Sequence, residues 1–222
     1  MRILSLFCGC GGLDKGFVNA GYDIVWANDF DKYAIQTYRA NFDHPSIEGD
    51  IYNVSLDELP DFDVLIGGFP CQPFSMMGAE RGFEDARGTL FFRIAEIIQD
   101  RINKNKKPKA IVLENVRSLK THDKGRTYKT IKSILENDLG YKVFCDILNT
   151  ADYGVPQTRN RTYIVCFDNK AAEYSFPEKQ ELEKTLQDVL EQEVDSKYFL
   201  SDKILPTILS KLAKSPLTKL TF

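Results

Sequence analysis

The sequence carries only two histidines, His44 and His122, among its 222 residues. Two scattered histidines leave a cysteine hydrolase without a base for its thiol, and an ordinary zinc site without ligands. The five cysteines (Cys8, Cys10, Cys71, Cys145, Cys166) are odd in number, dispersed, and contain no C-x-x-C pair. Neither a disulfide framework nor a bound metal is therefore expected. No apolar run approaches the ~20 residues that span a bilayer. The opening MRILSLF is interrupted by Cys8 to Gly12 and by Asp14, and is too short for an export signal. A cytoplasmic protein that does not enter a membrane is the expectation. Internal repeats and low-complexity segments are lacking as well. So is a strong charge of either sign: the net charge is −3, which taken alone argues against a nucleic-acid partner.

What is present suits one large domain, or one domain plus a fragment of another. A hydrophobic share of 43% and a charged share of 27% are ordinary for a globular chain with a full core. Strands are expected at Arg2–Phe7, Tyr22–Ala27, Phe62–Ile66 and Ala110–Leu113, with helices at about Leu13–Ala20, Asp31–Asn41, Thr89–Asn103 and Lys129–Asn137. Tyr141–Leu148 and Thr162–Phe167 read as two strands with only a loop between them. The alternation predicts an α/β fold with a doubly wound, mostly parallel sheet that ends in an antiparallel strand pair. Residues 171–222 change character and form a C-terminal extension to a domain over residues 1–170. Within the extension, EKQELEKTLQDVLEQEVD reads as a charged helix. The basic run NKNKKPK at 103–109 reads first as a solvated loop, and second as a phosphate contact.

In doubly wound sheets ligands bind beyond the carboxyl ends of the strands, and the unusual residues of this chain fall there. FCGCGG follows the first strand, with Phe7 ahead of Gly9, Gly11 and Gly12, so the backbone can approach a ligand closely. The dinucleotide fingerprint G-x-G-x-x-G requires glycine at position 14, which is Asp14. WANDFD offers Asp29 to ribose hydroxyls and Phe30 as a flat face for an adenine ring. GDI offers Asp50 to an exocyclic amine, beside Ile51. Each has a plainer reading as a turn or cap residue. Together they favour an adenosine-containing ligand with no pyrophosphate to cradle.

GGFPCQPFS then holds Cys71 between Pro70 and Gln72-Pro73. Proline restricts the backbone and suits a sulfur that must be held in one place; a helix N-terminus at Pro73 would stabilise its thiolate. A zinc nucleobase deaminase fails here, because position 74 is phenylalanine and no H-x-E occurs. Glu114 in LENV ends an apolar strand, where a carboxylate is costly unless it has a partner or a task. QTRNR brings Arg159 and Arg161 to one face of a strand start.

FCGCGG, NDFDKY, GDI, GGFPCQPFS, RGTLFF, ENV and QTRNR, in this order over roughly residues 1–170, closely resemble the cytosine-5 DNA methyltransferases. The resemblance implies the sheet of S-adenosylmethionine-dependent methyltransferases, with S-adenosylmethionine as cofactor and double-stranded DNA as partner. Phe7, Asp29, Phe30, Asp50 and Leu90 fall at the family's cofactor-contact positions. Cys71 is then the nucleophile toward C6 of a flipped-out cytosine, Glu114 the group at N3, and Arg159 and Arg161 the supporting arginines. Ser75 to Gly88, with Gln72 just before it and Arg81 and Arg87 within it, is the loop that closes over the base. Family members continue into a target-recognition region and a closing segment. The resemblance therefore raises three expectations: half of a split restriction–modification enzyme whose second polypeptide carries recognition, an inactive remnant, or a cofactor-binding module. A transfer-RNA cytosine methyltransferase is the alternative within the enzyme class.

Overall fold

The buried apolar runs read from the sequence become the middle of a sheet. The computed structural model of the chain describes residues 1–70 and 90–213. Its strands are β1 (Arg2–Leu6), β2 (Asp23–Asp29), β3 (Ser46–Glu48), β4 (Val64–Gly68), β5 (Ala110–Val116), β6 (Lys142–Asn149) and β7 (Asn160–Phe167). They assemble in the order β3-β2-β1-β4-β5-β7-β6. β7 runs antiparallel to both β5 and β6, while the other pairs are parallel. The expected mostly parallel α/β sheet with an antiparallel end is thus what forms. The order reverses between β1 and β4, so the loops after these two strands open the crevice where such sheets take ligands.

Side chains on a strand alternate between the two faces, and each face here has its own helices. α1 (Gly12–Asn19) and α2 (Lys32–Asn41) cover one face, where Ile3, Ile24, Ile35, Tyr38, Val64 and Ile66 form a cluster. The other face packs α3 (Leu90–Asn103) and α4 (Arg126–Ser133) over Leu4, Leu6, Leu65, Ile111 and Leu113. Burial on both sides explains why β1, β4 and β5 read as continuous apolar runs.

Several boundaries differ from expectation, and the reasons are physical. β2 continues past Ala27 through Asn28 and Asp29, and β5 past Leu113 through Glu114 to Val116. Pairing to neighbouring strands carries the backbone on after the apolar side chains have stopped. β3 is three polar residues with no apolar signal, held by its pairing to β2. α4 starts three residues earlier than expected and runs into a π-helical turn at Ile134–Asp138.

The chain divides into two units, Met1–Leu182 and Glu183–Phe222. The charged stretch 178–195 is not the expected α-helix; only a 3₁₀ turn at Gln187–Val189 interrupts irregular backbone. Its residues are all exposed, and a short helix with no buried face gains too little to form. The second unit's α-helix is α5 (Leu205–Ala213).

The basic run at 103–109 is neutralised where it stands. Lys104 pairs with Asp57 and Asp100, Lys106 with Asp61, Lys107 with Asp168, and Lys109 with Asp63. Its plainer reading as a solvated loop accounts for it.

Candidate active site

The loop after β1 is built to hold an unusual backbone. Phe7 adopts φ 54°, Gly9 φ 56° and Gly11 φ 89°, and the Gly11 amide turns back onto the Cys8 carbonyl at 2.9 Å. A side chain at Gly11 would collide with the Phe42 ring, so glycine is required there for space as well as for conformation. Asp29, at the end of β2, fastens the loop. One carboxylate oxygen accepts the Gly9 amide at 2.8 Å and the other accepts the Asp31 amide at 2.9 Å. Asp31 in turn caps α2 by accepting the Ala34 amide.

Beside this loop lies a cleft of about 280 Å³ whose lining includes Phe7, Phe30, Asp50, Ile51 and Leu90. Five of the residues picked out from sequence are thus brought together. Phe30 is 72% exposed, an apolar ring left to solvent at a strand end, whereas Ile51 is buried. Asp50 caps a 3₁₀ turn with one oxygen, which accepts the Tyr52 amide. Asn28, Gly49 and Tyr52 also line the cleft and were not anticipated. Asn28 is a buried amide that donates to the Ile47 and Gly49 carbonyls, so it holds the end of β3 against β2. Its signal in the sequence is a polar residue directly after the apolar run of β2. Gly9, Gly11, Gly12, Asp29 and Pro70 are not among the lining residues. Gly9 and Gly11 set the turn of the loop and Asp29 fastens it, Gly12 opens α1, and Pro70 is exposed just after β4.

Glu114 is the second centre. It pairs in register with Gly68 of β4, where an added side chain would lie about 3.4 Å from its Oε2. The Arg161 Nε donates to its Oε1 at 2.8 Å, with the two side chains 20% and 23% exposed. Burial pushes the Glu114 carboxyl above the usual range, and Arg161 and then Arg159 pull it partly back. Of the two arginines, Arg161 makes the contact; Arg159 is exposed and anchored through its backbone amide to Asn149. Beside Arg161 a wider groove of about 620 Å³ is lined by Arg117, Lys120, Thr121 and Asn160 among others.

Asn115 does more than turn the chain. It is buried, donates to the Phe69 carbonyl at 2.8 Å and accepts the Val116 amide at 2.8 Å. It therefore pins the segment that leads through Pro70 into Cys71. Cys71, Gln72, Ser75, Arg81 and Arg87 lie outside the described residues. Among the described cysteines, Cys8 and Cys166 are buried and their thiols pushed up by that burial, which leaves them poor nucleophiles.

The family model for C-5 cytosine-specific DNA methylases matches residues 1–218. This chain belongs to that family. It is 46% identical over 219 residues to a type II methyltransferase of Neisseria gonorrhoeae, covering 98% of this chain and 67% of the relative. It is 45% identical over 205 residues to one of Neisseria lactamica, covering 91% and 64%. With the first three relatives taken together, this family member spans about half to two thirds of the relatives' length. Among solved structures, the Dnmt2 methyltransferase of S. pombe superposes with a TM-score of 0.71 at 25% identity, over 93% of this chain and 65% of the other. Among the described residues, no helix is long and apolar enough to cross a membrane, and no His/Cys/Asp/Glu cluster could hold a metal.

Proposed function

We propose that this chain is the cofactor-binding and catalytic part of a DNA cytosine-5 methyltransferase of the restriction–modification type, working in the cytoplasm. The observation that carries the reading is the Arg161–Glu114 pair at the end of β5, in register with the strand that leads into Pro70 and Cys71. The cleft beside Phe7 fits the adenosine part of S-adenosylmethionine: an exposed ring in Phe30, a buried aliphatic floor in Ile51, and an acceptor in Asp50 for an exocyclic amine. Asp29, buried and bonded to the Gly9 and Asp31 amides, holds the loop in the shape that the nucleoside requires.

The target base must leave the duplex stack, which costs a few kcal/mol. The Cys71 thiolate adds to C6 of the flipped cytosine, and the displaced ring electrons make C5 nucleophilic. Glu114 gives a proton to N3 as the adduct forms, so charge does not accumulate on the ring. Such acid–base assistance is typically worth roughly 10²–10⁴-fold. Arg161 holds the carboxyl at the correct height while Glu114 exchanges its proton. When bound, S-adenosylmethionine supplies the methyl group to C5 from a sulfonium. Transfer of the C5 proton to a water molecule returns an electron pair to the ring and expels the Cys71 thiolate, and Glu114 recovers its proton from N3.

The deciding experiment follows labelled methyl from S-adenosylmethionine into unmethylated DNA and bulk transfer RNA, with Cys71→Ala as blank. It is run with the chain alone and with the product of any adjacent reading frame. Label in DNA supports the reading, and label only when both polypeptides are present identifies a split enzyme. Label in transfer RNA replaces the substrate. No label in any mixture from a folded chain leaves a remnant or a binding module.

A further inference from the structure

Asp14 is the residue that breaks the dinucleotide fingerprint, and it is fully buried. It sits in the first turn of α1, two residues beyond the glycine loop, while Ser5 sits in β1, two residues before it. The Ser5 hydroxyl donates to Asp14 Oδ2 at 2.9 Å and so closes the base of the loop. From α2, the Tyr38 hydroxyl donates to Asp14 Oδ1, also at 2.9 Å. Tyr38 packs its ring against Phe42 at 4.7 Å, and Phe42 is the ring against which Gly11 lies. α2 itself begins at its Asp31 cap, immediately after Asp29 and Phe30. One carboxylate thus joins the two walls of the nucleoside cleft: the loop from Phe7 to Gly12, and the turn that bears Phe30.

We infer that Asp14 is a positioning residue that sets the glycine loop against the Asp29–Phe30 turn by accepting Ser5 and Tyr38 at once. A buried carboxyl costs stability unless it has a task, and this one has both oxygens engaged across three elements. Burial pushes its carboxyl up, and the two hydroxyl donors offset this only in part. A glycine in its place, as the dinucleotide fingerprint prescribes, would release both donors.

The inference about geometry stands by itself, and its consequence for affinity rests on the proposed cofactor. The test therefore has two arms, on the full chain carrying Ser5→Ala, Tyr38→Phe or Asp14→Asn, with Ile131→Val on the opposite face of the sheet as a control. In the ligand-free chain, amide hydrogen exchange is followed at Cys8, Gly9, Gly11, Asp31 and Ala34, all hydrogen-bonded within these two walls or to the end of β2. Ser5→Ala and Tyr38→Phe are expected to speed exchange there about fivefold relative to α3, the usual net worth of one hydrogen bond. Asp14→Asn keeps an acceptor for Tyr38 and a donor for Ser5, and is expected to retain protection. In the second arm, the Kd for S-adenosylhomocysteine rises by a similar factor in the two loosened variants, and KM for the methyl donor rises with kcat unchanged. Exchange that is unaltered at these amides, or raised evenly as in Ile131→Val, overturns the inference. If the unmutated chain fails to bind S-adenosylhomocysteine, the cofactor reading falls, and the exchange arm still decides for or against Asp14.

Discussion

In the proposed mechanism Glu114 gives a proton to the ring and takes it back, and its surroundings suit that exchange. Half-burial favours the neutral carboxyl, while Arg161 at 2.8 Å keeps the ionised form within reach. Because the folded-state affinity for the proton is raised above that of a solvated glutamate, the linked stability is full at low pH and is lost as pH rises through the folded-state pKa. The same titration removes the proton needed at N3, so kcat/KM should fall on that alkaline limb. Glu114→Gln cannot lose a proton. It is expected to retain the fold, to run about 10²–10⁴-fold slower, and to lose the limb when kcat/KM is measured against pH. Arg161→Ala removes the larger of the two guanidinium effects, so the carboxyl should move further up, and stability should fall by about 1–3 kcal/mol in urea unfolding. At this scale the sequence was informative for side chains with chemistry and less so for side chains that hold others. Glu114 and Phe30 are conspicuous because a charge or a ring stands where an apolar run has ended. Asn115 and Asn28 look like turn residues until their carbonyl partners, far away in sequence, are known.

Elements were legible where burial on both faces writes a continuous apolar run, as in β1, β4 and β5. The reading stopped short where strands carry polar residues into the site. Asn28 and Asp29 remain in β2, and Glu114 and Asn115 remain in β5, because backbone pairing persists there. Sequence patterns and strand geometry part company at the residues that make the site. The opposite error occurred in the charged stretch 178–195, where composition suggested a helix that has no face to bury. The first loop gives a prediction at this scale. Gly11→Ala would force a side chain into the left-handed region and into the Phe42 ring. Strain and overpacking together should cost about 2–4 kcal/mol in thermal or chemical unfolding. Gly12→Ala, where an added Cβ meets open space and φ is not positive, should fall within about 0.5 kcal/mol of the parent.

The net charge of −3 argues against a nucleic-acid partner only if charge is evenly spread over the molecule. It is not. Near the amino ends of the parallel strands, cations meet carboxylates: Arg2 and Lys109 with Asp63, Lys106 with Asp61, Lys104 with Asp57 and Asp100, Lys107 with Asp168. At the opposite end, Arg117, Lys120 and Arg159 have no ion pair with a carboxylate among the described residues, and the first two line the groove that also takes in Arg161. A cation already held by a carboxylate must give up that partner to neutralise a phosphate, whereas an unpaired one neutralises it directly and releases the ion condensed on the DNA. On the proposed function this local patch, beside Glu114, would outweigh the global balance. The test is fluorescence anisotropy of a labelled duplex at graded salt, with the assembly that transfers methyl to DNA. Replacing Arg117 and Lys120 by alanine should make the negative slope of log K against log salt shallower by about 1.8, roughly 0.9 for each lost phosphate contact. Replacing Lys104 and Lys106 by glutamine should leave the slope where it was, although it removes the same formal charge. Equal changes in the two double variants would mean that DNA responds to total charge, and that the groove beside Arg161 has no part in holding it.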